Sequence, residues 1–409
     1  MTVADDGRAR GASRQRICLV VSSAMTAEAF LARHIRALSE RYEVDLVANA
    51  DPESLRHPDL QQATRIRARI EREIAPFADL RALLQLIAIL RRGNYSLVHS
   101  MTPKAGLLTA LAAFIARVPV RVHTYTGQVW STRRGFGRWL LKALDRIIAK
   151  LDTNLFADGF AQLDFLRAEG VLDARQGSVL ASGSTCGVDA GRFRSNAEAR
   201  DSVRRELTIP AAALVFLFVG RLTRDKGVLD LARAFAGVAA ADESAYLVLV
   251  GPDEDALGES IRSACGAGVE RARFAGFRAD PERYMAAADV FCLPSHREGF
   301  SIVALEAAAA GLPAIGSRIY GIVDAIEDGV GGLLFEPHDV GALSASMQRL
   351  GRDPALREHL AHAARERALR DFSQDRLTVA FVEFYESVVP STSPSARQAA
   401  RSKERSRFD

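Results

Sequence analysis

Short apolar runs in the first part of the chain alternate with segments in which apolar residues recur at helical spacing. The runs predict five β-strands, at residues 17–21, 44–47, 97–99, 120–123 and 154–157. The segments beside them predict helices at residues 27–41, 79–92, 105–116, 137–150 and 161–169. Alternation of this kind is typical of a parallel sheet that is covered by helices.

The same pattern restarts after a small polar connection at residues 183–189. Strands are predicted at residues 214–219, 246–250, 272–274, 290–293 and 313–315. Helices are predicted at residues 229–240, 255–265, 281–287, 302–310, 340–350, 356–370 and 374–388. The simplest α/β fold is two Rossmann-like domains that face across a cleft, with ligands bound at the carboxyl ends of the strands.

The domain boundaries follow from this doubled pattern. We expect the first domain at residues 16–187 and the second at residues 188–372, with a last helix at residues 373–389 that packs back on the first domain. The polar segment at residues 1–15 and the Ser-rich and Arg-rich tail at residues 390–409 are predicted to be disordered.

Composition supports two folded domains. Hydrophobic residues make up 48% of the 409 residues, which excludes a disordered or fibrous protein over most of the length. The four cysteines are scattered without close pairs, so free thiols are expected rather than a zinc site or a disulfide framework: Cys18, Cys186, Cys265 and Cys292. No apolar run approaches the roughly 20 residues that cross a bilayer, which favours a soluble or peripheral cytoplasmic protein.

Basic residues concentrate in the first half. Residues 1–187 carry 26 Lys and Arg against 18 Asp and Glu, and residues 121–150 carry seven basic residues and one acid. Within that segment a stripe at helical spacing is predicted to pack on the sheet: Leu140, Leu144, Ile147 and Leu151. The flanking basic and aromatic side chains also suit an anionic membrane surface.

Two carboxylates, Glu298 and Glu306, lie eight positions apart across a predicted loop-to-helix junction, with Ser301 as the expected N-cap of the helix. The amides of the first helical turn, near Ile302 and Val303, are expected to lack internal partners and to attract phosphate. Carboxylates beside such an anion site can accept hydrogen bonds from sugar hydroxyls. The segment therefore fits a nucleotide sugar, although the spacing alone arises by chance in many chains.

A second segment runs from Gly220 to Gly227 and follows the strand predicted at residues 214–219. Its glycines allow a tight turn, and Arg221 and Lys226 place positive charge at the carboxyl end of a strand. These charges suit a diphosphate, and a solvated basic turn is the alternative. Residues 316–332 fit either a pocket wall or an ordinary connection.

The ordered combination of residues 220–227, 298–306, 311–313 and 328–334 resembles the nucleotide half of glycosyltransferase family 4. These are retaining enzymes of the two-Rossmann type called GT-B. By this resemblance Glu306 binds the ribose hydroxyls, Arg221 and Lys226 bind the diphosphate, and the loop around Phe277 lies beside the base. The resemblance implies a complete donor-binding set: Gly220, Arg221, Lys226, Phe277, Glu298, Gly299, Phe300, Ser301, Ile302, Val303 and Glu306.

The first half is similar to a narrower branch, which extends sugars on polyprenyl diphosphate in bacterial surface polysaccharide assembly. Residues 72–80 and 98–107 look like its paired signature. In this region Lys104 is an acceptor-side candidate for a phosphate contact, and a solvated lysine at a helix start is the alternative.

Two departures from the family pattern affect the first half. Residues 22–26 lack the glycine-rich loop that many members carry after the first strand. Many members also place a sugar-contacting histidine where Thr126 stands here. His123, three residues earlier, and His99 are the two candidates for that role, and a partly buried strand histidine is the alternative reading of His123.

The resemblance implies a retaining transfer of a hexose or N-acetylhexosamine from a nucleotide-diphosphate sugar, with UDP favoured, to a polyprenyl-diphosphate-linked saccharide. The expected catalytic residues are Glu298, Arg221, Lys226 and His123. Negative charge on the departing diphosphate is expected to be stabilised by Arg221, Lys226 and the amides near Ile302. A diphosphate oxygen is expected to accept the proton of the acceptor hydroxyl.

No cofactor, metal or nucleic-acid partner is expected, and the acids at residues 253–255 fit a solvated turn better than a magnesium site. The implied partners are the donor, the lipid-linked acceptor and an anionic membrane surface, which places the protein at the inner face of the cell membrane. Three alternatives stay open: a transferase with a small soluble acceptor, a sugar-nucleotide 2-epimerase and a non-catalytic binding protein.

Overall fold

The structure is a computed structural model that describes residues 14–71 and 75–389. The predicted N-terminal segment, apart from residues 14–15, lies outside the described residues. So do residues 72–74 of the paired signature and the predicted tail at residues 390–409. Two six-stranded parallel sheets with flanking helices confirm the predicted pair of Rossmann-like folds.

The first sheet has the order β3-β2-β1-β4-β5-β6. Its strands are β1 (Arg16–Val20), β2 (Glu43–Ala48), β3 (Thr64–Arg67), β4 (Leu97–Met101), β5 (Val120–Tyr125) and β6 (Asn154–Ala157). The accompanying helices are α1 (Ala24–Thr26), a π-helical turn (Ala27–Leu31), α2 (Ala32–Ser39), α3 (Pro76–Gly93), α4 (Pro103–Ala116), α5 (Gly135–Leu151) and α6 (Phe160–Ala168). Two short 3₁₀ turns precede β3, at Pro52–Ser54 and Pro58–Gln62.

The second sheet has the order β12-β11-β10-β7-β8-β9. Its strands are β7 (Leu214–Val219), β8 (Ala245–Val250), β9 (Ala272–Gly276), β10 (Val290–Leu293), β11 (Ala314–Ser317) and β12 (Gly332–Phe335). Its helices are α7 (Ala197–Glu206), α8 (Val228–Ala241), α9 (Gly258–Ala264), α10 (Pro281–Ala287), α11 (Ile302–Ala309), α12 (Tyr320–Val323), α13 (Val340–Arg352) and α14 (Pro354–Asp371). The final helix is α15 (Gln374–Val388).

Burial explains why the strands of the second sheet are continuous apolar runs. A parallel sheet is covered on both faces, so both sets of alternating side chains must be apolar. In β7, Phe216, Leu217 and Phe218 are all fully buried, and β10 is buried along its whole length. Two separate core clusters pack against this sheet, which fixes the strand ends that carry the loops described below.

The described chain divides into two compact units. Residues 14–71, 75–123, 150–154 and 381–389 form the first unit, and residues 124–149 and 155–380 form the second. In the first unit Phe381 of α15 stacks on His34 and His99, and the Tyr385 hydroxyl hydrogen-bonds His99 Nδ1 at 2.8 Å. The domain boundaries predicted at residues 187 and 372 stay predictions.

The elements that the pattern of apolar residues missed include β3, β12, α7 and α12. β3 is a four-residue edge strand with one aliphatic side chain, Ile66, so it carries no apolar run. α7 is strongly polar and buries only Ala199, Val203 and Arg204. The four cysteines are buried free thiols, as predicted.

The predicted packing stripe of α5 is wrong at Leu140 and Ile147, while Leu144 and Leu151 are half-buried. The residues that α5 buries are Asp145, Ile148 and Ala149. Leu140 and Ile147 are instead 37% and 39% exposed. The physical reason is that the buried Trp130 needs an acceptor for its indole N–H, and Asp145 provides it at 2.7 Å. That bond turns Asp145 inward and leaves Leu140 and Ile147 on the outer side of the helix.

None of the described helices is both long enough and apolar enough to cross a bilayer.

Candidate active site

Two loops that carry predicted donor residues follow β7 and β10, the neighbouring strands at which the order of the second sheet reverses. Such a reversal is where doubly wound sheets bind ligands. Lys226 Nζ, from the first loop, donates to Glu298 Oε1, from the second, at 2.6 Å. Their side chains are 19% and 12% exposed. The structure therefore joins two residues that were predicted from separate segments.

Gly227 allows these loops to approach. It has a φ of 68°, and an added Cβ would lie 2.0 Å from the Pro294 carbonyl oxygen. Glycine alone combines this left-handed backbone with the absence of a side chain. The loop after β7 is thus pressed directly on the loop after β10.

Asp225, which the sequence did not single out, organises both loops. Its carboxylate accepts hydrogen bonds from the Thr223 hydroxyl at 2.6 Å and from Arg297 at 2.7 Å, and its carbonyl accepts the His296 amide at 2.8 Å. Burial opposes ionisation, but the bonds from Thr223 and Arg297 outweigh it and lower the pKa of Asp225. The sequence signal that could have identified Asp225 is its position between two basic residues, Arg224 and Lys226, in the predicted diphosphate segment.

Arg221 lies at the same strand end as Lys226 but forms a more exposed ion pair. Its Nη1 donates to Glu254 at 2.8 Å, and the two side chains are 31% and 41% exposed. A pair in this environment contributes little net stability. The guanidinium can therefore exchange this partner for a phosphate at small cost.

The acids beside Glu254 have local structural partners. Asp253 accepts the amides of Leu257 and Gly258 at the start of α9, and Asp255 accepts the amide of Arg224. Because Asp253 and Asp255 accept hydrogen bonds from backbone amides, these acids have a structural role in the turn.

The turn that follows Glu298 packs on the backbone after β5. A Cβ added at Gly299 would lie 1.9 Å from the Thr126 carbonyl oxygen, so any side chain there would collide with backbone. Thr126 is the position at which many members of the resembled family place a histidine. In this chain the backbone of that position touches the turn that carries Glu298.

The start of α11 holds two polar groups without protein partners. Ser301 occupies the predicted N-cap position, but its side chain makes no capping bond, so that part of the prediction is wrong. Its ψ of 88° departs from the extended backbone of a capping residue. Its buried Oγ has no hydrogen-bond partner, and the Val303 amide has no acceptor among residues 14–71 and 75–389. Both can serve a ligand anion.

Glu306 lies one turn further along α11. The carboxylate is half-buried, and no side chain or amide of the described chain hydrogen-bonds or pairs with it. Burial raises the pKa of Glu306 from 4.5 to about 7; the charge of Arg192 offsets part of this rise and that of Glu282 adds to it. Sugar hydroxyls are neutral donors that suit such a carboxylate.

The remaining donor-side candidates differ in exposure. Gly220 follows β7 and its amide donates to the Val250 carbonyl, while Ile302 begins α11. Phe277 is 73% exposed just after β9. Phe300 is buried, with its ring 5.8 Å from that of Phe372, so its side chain contributes to the core.

The catalytic candidate His123 and the acceptor-side candidates His99 and Lys104 belong to the first unit. His99 and His123 are both buried, and burial is the largest of the effects that lower the pKa of each to about 3. His123 Nδ1 contacts the Ser100 hydroxyl at 2.9 Å. Both imidazoles are therefore neutral at pH 7.

Lys104 is half-buried and pairs with Asp79 at 2.5 Å, so it is not the solvated lysine that one alternative described. Asp79 also accepts the Ala75 amide at the start of α3. This ion pair connects the two segments of the paired signature within the first unit.

Two family profiles match separate parts of the chain. Residues 26–183 match the glycosyl transferase 4-like domain, and residues 199–367 match the glycosyl transferases group 1 domain. The second range contains both loops with the Lys226 to Glu298 contact, together with Glu306.

Among curated relatives, the capsular polysaccharide biosynthesis glycosyltransferase CapM of Staphylococcus aureus is 28% identical over 74% of this chain and 80% of its own length. The UDP-Gal:alpha-D-GlcNAc-diphosphoundecaprenol alpha-1,3-galactosyltransferase of Escherichia coli is 29% identical over 70% and 74%. A D-inositol 3-phosphate glycosyltransferase of Saccharomonospora viridis is 35% identical over 52% of each chain.

Solved structures with similar folds include sucrose-phosphate synthase from Thermosynechococcus elongatus, with a TM-score of 0.75, 23% identity, and coverage of 92% of this chain and 99% of that one. The Anabaena protein HepE in complex with UDP-glucose has a TM-score of 0.75 and 22% identity, with coverage of 91% and 100%. At these identities the likeness establishes the fold, which is the predicted GT-B type with two Rossmann-like domains.

The raised pKa of Glu306 predicts a pH-dependent effect of Glu306→Gln on stability. Because the folded-state pKa exceeds the unfolded one, Glu306 loses stabilising free energy as the pH rises from 4.5 to about 7. The stability gap between Glu306→Gln and the parent should be smallest at pH 5 and should reach about 1–2 kcal/mol in favour of the variant at pH 8, allowing for partial exposure.

Thermal melting of both proteins between pH 5 and 8.5 measures this difference. Glu358→Gln, at an exposed position of α14, is the matched control and should show a constant difference. A gap between Glu306→Gln and the parent that does not change with pH would contradict the assigned electrostatics.

Proposed function

We propose that this chain, which is a glycosyltransferase, moves a hexose or an N-acetylhexosamine from a UDP-sugar to a polyprenyl-diphosphate-linked saccharide. The anomeric configuration is retained. The observation that carries the donor half is the contact between Lys226 and Glu298 at the reversal of the second sheet.

The donor diphosphate lies between the loop after β7 and the start of α11. Lys226 supplies one positive charge and Arg221 can supply another, because its pair with Glu254 is exposed. The Ser301 hydroxyl and the Val303 amide supply neutral donors at a helix start, where the dipole favours an anion. A diphosphate uses all four groups.

The sugars of the donor use the two carboxylates. Glu298 is held by Lys226, so its second oxygen can accept a hydroxyl of the transferred sugar. Glu306 has no protein donor and accepts the ribose hydroxyls, which favour its ionised form. The Anabaena structure of similar fold contains UDP-glucose, which supports a UDP-sugar donor.

Catalysis on this proposal is electrostatic. As the bond from the sugar to the diphosphate breaks, negative charge grows on the leaving diphosphate and positive charge grows on the sugar ring. Lys226, Arg221 and the start of α11 stabilise the first of these charges with donors that are already in place. The acceptor hydroxyl attacks from the face that the leaving group vacates and gives its proton to a diphosphate oxygen.

The acceptor is proposed from two supports in the first half. One is the relative from Escherichia coli, whose name specifies a diphosphoundecaprenol-linked GlcNAc acceptor. The other is the ion pair of Lys104 with Asp79, which holds the two signature segments together. We propose that this pair holds the segment at residues 98–107 in position to bind the acceptor. The neutral side chains of His99 and His123 then line the same binding region.

A small soluble acceptor is the second candidate. The relative from Saccharomonospora viridis, whose name specifies D-inositol 3-phosphate, is more identical than the other two but over a shorter range. The epimerase and the non-catalytic alternatives are set aside because the chain is a glycosyltransferase.

The acceptor class is tested by incubating the purified protein with radiolabelled nucleotide sugars and bacterial membrane extract. We expect UDP-hexose or UDP-N-acetylhexosamine to label the lipid fraction. Label in a water-soluble product from inositol phosphate, with none in lipid, would replace the proposed acceptor with the soluble one. If no UDP-sugar supported transfer to any product, the proposed UDP-sugar donor would be wrong.

The donor site is tested by Glu306→Ala, Lys226→Ala and Arg221→Ala. Loss of hydrogen bonds to a charged group predicts roughly tenfold or greater weakening of UDP binding by Glu306→Ala in calorimetry. Removal of a charge that stabilises the leaving group predicts a fall in kcat of roughly 10²-fold or more for Lys226→Ala and Arg221→Ala.

Arg224→Ala is the matched control, because Arg224 lies in the same loop with an exposed side chain. It should keep both UDP affinity and kcat within about twofold of the parent. Unchanged UDP affinity in Glu306→Ala would remove its ribose role, and unchanged turnover in the two basic variants would remove the diphosphate assignment.

We also propose that the exposed side of α5 rests on an anionic membrane. Phe136 and Trp139 are 73% and 59% exposed, and their rings stack on each other at 5.6 Å. Arg133 and Arg134, just before the helix, are exposed and form no ion pair within the described chain. Exposed aromatics beside basic residues are typical of helices that lie in a membrane interface.

Flotation with lipid vesicles tests this surface. The parent should float with vesicles that contain phosphatidylglycerol and not with pure phosphatidylcholine. The double variant Phe136→Ser and Trp139→Ser should bind roughly 100-fold or more weakly, since the two buried aromatics together contribute about 3–6 kcal/mol and each 1.4 kcal/mol is a factor of ten. Val379→Ser, which replaces an exposed residue of α15, should bind normally. Equal flotation of all three proteins would exclude α5 as the contact.

A further inference from the structure

Three possible metal ligands from three segments of the second unit meet beside the loop after β10. They are Asp230 in α8, His296 in that loop and His338 after β12. Asp230 Oδ2 lies 2.8 Å from His296 Nε2 and 3.7 Å from His338 Nδ1, and all three ligand atoms lie within 4.8 Å of one another. No other group of this kind is found among the described residues.

Contacts with neighbouring residues determine how firmly each of the three ligands is held. Asp230 is 8% exposed, and its other oxygen, Oδ1, accepts a bond from Arg233 at 3.0 Å, which fixes the carboxylate plane. The amide of His296 donates to the Asp225 carbonyl, which fixes the backbone of that ligand. The side chain of His338 is 69% exposed, and its backbone has the left-handed φ of 69°. Two ligands are thus held in place and the third is free to adjust.

We propose that Asp230, His296 and His338 bind one divalent transition-metal ion of the Zn²⁺ class. Two imidazoles and one carboxylate favour zinc and its neighbours over Mg²⁺ or Ca²⁺, which prefer oxygen ligands alone. Three protein ligands leave a fourth tetrahedral position, which faces water on the exposed side of His338.

Binding requires one small movement. The rings of His296 and His338 are 3.8 Å apart between centroids. Two imidazoles bonded to one ion at about 2.0–2.1 Å need centroids roughly 5 Å apart. His338 supplies this movement because most of its side chain is exposed. The ion then replaces the hydrogen bond between His296 and Asp230, while Arg233 keeps its bond to Oδ1 and orients the ligand.

The ion would act as a structural tie next to the donor site. His296 precedes Glu298 by two residues, so metal binding connects the donor loop to α8 and to the connection after β12. The tie is separate from the transfer reaction, for which the proposed mechanism uses no metal. It goes beyond the proposed function and does not depend on the identity of donor or acceptor.

Zinc uptake by the full chain tests the site. After treatment with a chelator and its removal, titration with Zn²⁺ in a calorimeter should show one ion per chain and a rise in melting temperature. Co²⁺ in its place should give the intense visible absorption of a four-coordinate site. His338→Ala should weaken Zn²⁺ binding at least tenfold and remove the thermal shift, because it deletes a direct ligand. Asp230→Asn should do the same.

His359→Ala is the matched control, because His359 is exposed on α14 and lies three residues before the exposed His362, a spacing that can hold a surface metal. It should bind Zn²⁺ like the parent. The proposal is overturned if the parent takes up no zinc, if His338→Ala binds it unchanged, or if His359→Ala loses binding instead. Since His338 is exposed, its variant should melt like the parent without metal, which separates loss of the site from loss of the fold.

Discussion

The reversal of strand order between β7 and β10 is the constraint on which the candidate site depends. Chain connections leave neighbouring strands in opposite directions at such a point, so a crevice forms at their carboxyl ends without any special sequence. What the sequence adds is control of the width of that crevice. Gly227 lies against the Pro294 carbonyl, and Lys226 reaches Glu298, so one end is closed by protein contacts. The other end, at Ser301 and Val303, keeps polar groups for a ligand.

The sequence predicted the sheets well and the side-chain contacts less well, for a physical reason. Buried parallel strands must be apolar on both faces, so the bounds predicted for β7, β10 and β6 match the structure. The edge strand β3 is missed because it is not covered in the same way. Ser301 was placed correctly at a helix start, but whether its hydroxyl caps the helix depends on one backbone angle that no spacing reveals. Similarly, the side of α5 that faces inward depends on the hydrogen-bond acceptor that the buried indole N–H of Trp130 requires.

Glu298, in the loop after β10, and Glu306, in α11, are the same residue type in two different electrostatic environments. Glu298 is matched with a cation at contact distance, so its charge is neutralised locally. Glu306 is half-buried without a hydrogen-bond donor, so its ionised form carries an electrostatic penalty that a ligand with hydroxyl groups can relieve. The first carboxylate is therefore organised before a ligand arrives, and the second gains its partners from the ligand. Asp225, which received no role from the sequence, maintains the first arrangement by holding Arg297 and the backbone of His296.

The last turns of α15 belong to the core of the first unit, where Phe381 and Tyr385 contact His34 and His99. This arrangement has a consequence for synthesis on the ribosome. Strands β1 to β4 emerge early, but the core that covers them is complete only after residues 381–389 have been translated. The second unit has all of its residues available before that moment. Domains usually fold in order from the N-terminus, whereas in this chain the half that begins first is the half that finishes last.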